Sequence, residues 1–259
     1  MLMATLLAQA ESICTLKGLK KADVFKTPSE NQESLLNDFY RLTSVFTVSM
    51  NPSLLHDYPS LSDYFPPPAF VPETHDWRSD YTSYSGYVRD PLVLAHMLRW
   101  ITKRVSAPPS GTRDERGLPE WYRAYVERER VLGFPPNAYK SVLEGLIPSE
   151  FNRYLEVLFD QMAVICANET DNGASVDWMC GILGWWIMGM KMDKENPSVD
   201  KAIVLKERWS AASGAFGHLF RSWIRWVQQS NLVPCQLLTL LQTELIPRLI
   251  IDCPSWSET

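Results

Sequence analysis

Little in this chain suits it to cradle a phosphate, hold a metal or cross a membrane. Its 12 glycines in 259 residues are few. None falls into a G-x-x-x-x-G-K-(S/T) phosphate loop, a G-x-G-x-x-G turn or a G-x-S-x-G nucleophile elbow, which removes the usual frames for nucleotide and acyl-transfer chemistry. The four histidines, at 56, 75, 96 and 218, have no second ligand at helical spacing, so no metal and no cofactor are expected. The five cysteines, at 14, 166, 180, 235 and 253, form no C-x-x-C pair; they read as reduced thiols buried in helices. A net charge of −5 and a pI near 5.5 give no global reason to bind nucleic acid. No apolar run reaches the roughly 20 residues of a membrane span. The strongest, Trp178 to Met192 (WMCGILGWWIMGMKM), has about 13 uncharged residues before Lys191 and reads as a helix buried on nearly all sides. Met1 to Ala10 is apolar but lacks a basic start, and reads as a first helix rather than a signal peptide.

What is present is apolar material at helical spacing. Apolar residues make up 46% and aromatics 12%, ample for a core. The periodicity predicts helices over 4–19, 30–48, 91–105, 121–132, 136–144, 148–168, 175–190, 199–230 and 234–251. Ser29, Pro91 and Pro148 sit where helix starts favour them. Two stretches break the pattern. Residues 52–87 carry six prolines among Tyr, Ser and Asp and read as a long Pro-rich loop, and 106–119 (SAPPSGTRDERGLP) reads as a flexible loop. No alternating strand run appears, so the expected fold is all-α, a single helical domain over 1–259.

Four motifs in order carry a resemblance. They are VFKTPS from Val24, DPLVLAHMLRWITKRVSAPP from Asp90, LIPSEFNRYLEVLFDQM from Leu146 and NGASVDWMCGILGWWI from Asn172. Together they resemble the Rho GTPase-activating (RhoGAP) domain, which runs from an arginine-finger loop through three such helices. The resemblance covers about residues 14–190. The departures fall on the residues that matter for that chemistry. Lys26 stands where the finger arginine would be, Arg99 and Lys103 stand where the family has a lysine and an arginine, and Asn172 keeps the first asparagine. Trp178 replaces the second asparagine, and Trp185 replaces a proline. An arginine finger is worth about 10³ to 10⁵ in rate because its planar fork spreads over the γ-phosphoryl oxygens. Lysine keeps the charge and loses the fork.

A second resemblance reaches further along the chain. Gly184-Trp185-Trp186, followed by Trp209-Ser210-Ala211-Ala212 and His218-Leu219-Phe220, resembles the fungal polarity family of multicopy budding suppressors and meiotically up-regulated proteins, itself related to RhoGAP domains. The resemblance implies a RhoGAP-like helical bundle with additional C-terminal helices. It further implies a non-catalytic scaffold in cell polarity, cytoplasmic and recruited to the cortex, that binds a Rho-family small GTPase or another polarity protein. Lys26, Arg99, Lys103 and Asn172 are then the candidate partner-binding residues, with no catalytic residue. Two alternatives stay open: an active GTPase activator whose finger is Arg78 or Arg89, and a helical interaction module that binds no GTPase. For single residues the plain structural roles are a solvated basic face for Arg99 and Lys103, a turn for Asn172-Gly173, core aromatics for Trp185 and Trp186, and a satisfied helix histidine for His218.

Overall fold

The computed structural model describes residues 43, 98–103, 108, 112–191, 199–230 and 241–245. By its contacts the chain divides into two compact units, Met1–Ile101 and Thr102–Thr259. In the first, Thr43 and residues 98–101 are described, all helical, with Leu98 and Ile101 buried. The Pro-rich stretch 52–87 and the helices expected over 4–19 and 30–48, apart from Thr43, lie outside the described residues.

The second unit is helical, and the described residues contain no strand, so the fold is all-α. Its helices are α1 (Glu120–Val131), α2 (Ala138–Leu143), α3 (Ser149–Ala167), the short α4 (Glu169–Asn172), α5 (Val176–Ile187) and α6 (Val199–Gln229), followed by a π-helical turn at Leu241–Leu245. Their starts are written in the chain. Pro119 and Pro148 precede α1 and α3 in extended conformation, and the Ser175 hydroxyl caps α5 by accepting from the Trp178 N–H at 3.1 Å. Glu120 in the first turn of α1 and Arg128 and Arg130 in its last turn complement the helix dipole.

The 31 residues of α6 span about 46 Å, and α1, α2, α3 and α5 pack on it. Gly184 of α5 meets Ala212 and Ser213, Cys180 lies beside Gly217, and Asp177 faces Arg221 at 3.8 Å. Numbers rise on one helix as they fall on the other, so α5 runs antiparallel to α6. On α1, Tyr122 meets His218, Tyr125 meets Ser222 and Glu129 meets Arg225, so α1 runs parallel to it. Phe159 of α3 fills the space between, its ring 5.4 Å from Phe216 and Phe220, 5.8 Å from Trp223 and 5.9 Å from Tyr139 of α2.

The segment expected to be a flexible loop at 106–119 is non-helical where it is described, but residues 112–119 are tied down. Arg113 and Pro119 form a backbone bridge, and the Leu118 N–H donates to Asp114 Oδ1 at 2.8 Å. The Arg113 guanidinium donates to the carbonyls of Met188 and Gly189 at 3.2 and 2.9 Å. These are the orphan carbonyls beyond the end of α5, a position that favours a cation. Among the described residues no helix is long and apolar enough to cross a membrane.

Candidate functional site

Among the described residues a cluster of polar side chains lies between α1 and α6. On α1, Trp121, Tyr122, Tyr125 and Glu129 share one buried face, which places a carboxylate in an otherwise aromatic stripe. On α6, His218, Ser222 and Arg225 recur at three and four spacing opposite it. Glu129 is sealed from solvent. Its Oε2 is 2.8 Å from His218 Nε2, and its Oε1 accepts from Ser222 Oγ at 3.2 Å and from Arg225 Nη2. Tyr125 hydrogen-bonds Ser222, and the Tyr122 hydroxyl lies 3.2 Å from His218 Nδ1. A ring carrying its proton on Nε2 satisfies both contacts, with Nδ1 accepting from the tyrosine.

Burial alone would push the Glu129 carboxyl up. The His218, Arg225 and Ser222 contacts outweigh that and hold it below the ordinary carboxylate range. Burial pushes both tyrosine hydroxyls up. The cluster is therefore a charged, hydrogen-bonded clamp between two helices.

A cleft of about 380 Å³ opens between the same helices. Ala211, Gly214 and Ala215 leave it free of bulk on the α6 side, and Arg116, Arg123 and Glu127 bring charges of both signs to the other. Both arginines are partly engaged, Arg116 with Asp114 at 3.7 Å and Arg123 with Thr112 Oγ1 at 3.1 Å. Among the described residues no group of three or more His, Cys, Asp or Glu could hold a metal ion.

Of the residues singled out from the sequence, Lys26, Arg78 and Arg89 lie outside the described residues. Arg99, in the first unit, is half-buried, and burial lowers the pKa of its guanidinium. Lys103, in the second, is exposed, with its Nζ 5.1 Å from the centre of the Trp186 ring, a cation–π contact. Asn172 is 2% exposed and both its side-chain polar atoms are engaged: Nδ2 donates to the Ile165 carbonyl at 2.8 Å, and Oδ1 accepts from the Ala174 N–H at 2.7 Å. With Gly173 at φ 71° it forms the turn from α4 into α5. Trp185 is buried and stacks on Trp209 at 5.2 Å, Trp186 is half-exposed, and Trp178 is 45% exposed at the start of α5.

Sequence reasoning found His218 as a satisfied histidine and missed its partners. The available signal was Glu129 at the core position of an aromatic stripe, with His218, Ser222 and Arg225 spaced to face it.

A model of the family described as the meiotically up-regulated protein Msb1/Mug8 domain matches residues 70–249, more than half of the chain and all the described helices of the second unit. Neither a curated protein nor a solved structure matches the chain. The chain belongs to the Msb1/Mug8 domain family.

Proposed function

We propose that this Msb1/Mug8 domain is a non-catalytic, RhoGAP-like helical scaffold in cell polarity and morphogenesis. It works in the cytoplasm and at the cell cortex, and its partner is a Rho-type small GTPase or one of that GTPase's regulators. Family membership supports the polarity setting, and the four ordered motifs support the RhoGAP-like frame. The observation that carries the scaffold reading is the network that surrounds the buried carboxylate of Glu129. A general acid or base needs a position open toward substrate. Here both Glu129 oxygens and both His218 nitrogens meet groups of the same domain. That arrangement locks α1 to α6 and suits a frame that presents a surface. Lys26 in the finger position supports the same conclusion, since a point charge on a flexible stem recovers little of the bidentate stabilisation.

The partner face in this reading includes Lys103, braced over Trp186, and the exposed Trp178. Asn172, buried in the turn from α4 into α5, is left out of that face. Two assays test the proposal together. Pulldown against Rho-family GTPases in each nucleotide state should show binding that Lys103→Glu weakens. Single-turnover GTP hydrolysis should show no acceleration; a tenfold increase would defeat the non-catalytic reading, and no binding in any nucleotide state would point to an interaction module with other partners.

A further inference from the structure

We propose that the tip at the end of α1 is a membrane-surface anchor, inserting Val131, Leu132 and Phe134 into a bilayer with anionic headgroups while Arg128 stays at headgroup level. This goes beyond the scaffold reading and does not depend on it. Large apolar side chains scattered singly over a surface are ordinary, whereas three on one tip are not. Here Val131 is 74% exposed, Leu132 58% and Phe134 43%, with exposed Gly133 between them.

The backbone of the tip is closed on itself. The Phe134 N–H donates to the Glu129 carbonyl at 2.9 Å and the Gly133 N–H to the Arg130 carbonyl at 3.1 Å, the paired bonds of a Schellman end. The Leu132 N–H donates to the Arg128 carbonyl at 3.1 Å. Pro135 and Pro136 follow and have no N–H. From Val131, which closes the last helical turn, to Pro136, no backbone donor is left over, which removes the donor half of the cost of entering an apolar medium. The carbonyls of Val131 to Phe134, which accept no backbone bond among the described residues, keep the backbone at headgroup depth and leave insertion to the side chains.

The shape of the tip is also set in advance. In a Schellman end the residue at the Phe134 position usually folds back onto an apolar residue at the Glu129 position. Glu129 is instead drawn into the clamp with His218 and Arg225, and Phe134 turns outward. It does so at φ 55°, directly after Gly133 at φ 72°. A left-handed backbone is disfavoured for a residue with a side chain, yet here it keeps an aromatic ring in solvent. A preset tip has little ordering entropy left to lose on insertion.

Charge decides between a bilayer and an apolar pocket. Glu127 pairs with Arg130 at 2.9 Å, while the exposed Arg128 has no acidic partner among the described residues. Apolar side chains ahead, no spare donors and an unneutralised arginine behind match a surface with an oily interior and an anionic face.

Co-sedimentation of the full chain with vesicles of phosphatidylcholine, with and without 30% phosphatidylserine, tests the proposal. The wild type should partition onto the phosphatidylserine vesicles, and the double variant Leu132→Ser/Phe134→Ser should lose about tenfold or more of that binding. Both side chains are exposed, so the double variant should melt like the wild type by circular dichroism. Arg128→Gln should lose about fivefold on anionic vesicles and nothing on neutral ones. Wild type that stays in the supernatant, or a double variant that binds equally well, overturns the proposal. So does a tip whose removal abolishes only self-association measured without lipid, since the tip would then dock on a second copy of the chain.

Discussion

A carboxylate taken out of water costs several kcal/mol unless its surroundings return that energy, and two carboxylates of the second unit meet this differently. Glu129 is charged, because His218, Arg225 and Ser222 converge on it. Its carboxyl titrates below its ordinary value, so its contribution to stability is present above the unfolded pKa and is lost as pH falls through the folded one. Asp160 on α3 has the opposite sign. Burial, and then the negative charge of Glu156 one turn earlier, push it up from 3.8 to about 6. The folded state therefore holds this proton more tightly than the unfolded one, and stability falls as pH rises from about 4 to about 6. Asp160→Asn should remove that cost. Chemical denaturation at pH 7.5 should show the variant more stable by on the order of 1 kcal/mol, the full shift being discounted for partial exposure. At pH 3.5 the difference should vanish. A gain of equal size at both pH values would show that Asp160 is not the titrating group.

Between elements, α5 and α6 approach closely where Gly184 crosses Ala212 and Ser213. A Cβ built on Gly184 would sit 2.8 Å from the Ala212 carbonyl oxygen and 3.1 Å from Ser213 Cα, backbone atoms that cannot rotate aside. Gly181, one turn earlier on α5, has nothing within 4 Å of its Cβ position. The sequence offers both glycines in one apolar run and does not say which faces the crossing, because that depends on the rotation of α5 against a helix that follows it in the chain. For the same reason the run reads as buried nearly all round, while Trp178 at its start is exposed. The two alanine variants should separate. Gly184→Ala forces the helices apart at about 1–3 kcal/mol, which a helix-propensity gain of up to about 1 kcal/mol only partly offsets. Gly181→Ala should keep that gain, with stability raised by up to about 1 kcal/mol. Urea midpoints of the two variants, measured side by side, check this; equal shifts would mean that Gly184 is not at the contact.

Over the whole second unit, what was legible in the sequence is what a single helix decides for itself. The stripes, with Pro148 opening the second, predict 121–132, 148–168 and 175–190, and the structure has Glu120–Val131, Ser149–Ala167 and Val176–Ile187. The two halves of the clamp are each visible as a polar residue in a helix stripe, but their pairing was not legible, because Glu129 and Arg225 come together only once α1 and α6 have chosen a parallel register, and no local pattern encodes that choice. Phe159 shows how the choice is enforced. Its ring touches Tyr139 of α2 and Phe216, Phe220 and Trp223 of α6, so one side chain sets the spacing among three helices. The surrounding rings are large, planar and locked by one another, with Phe220 and Trp223 stacked at 5.8 Å. They cannot fold into a void as aliphatic chains can. Phe159→Ala should therefore lie within the range of about 3–5 kcal/mol for aromatic truncation, toward its upper end because collapse is blocked. Phe159→Leu, which fills most of the volume, should lose much less. Tryptophan fluorescence, summed over the ten tryptophans of the chain, follows global unfolding through a urea titration and reads both variants. A loss below about 1 kcal/mol in Phe159→Ala would mean that the three helices hold their spacing without it, and the α6-centred packing would then have to rest on the α1 clamp and the α5 crossing alone.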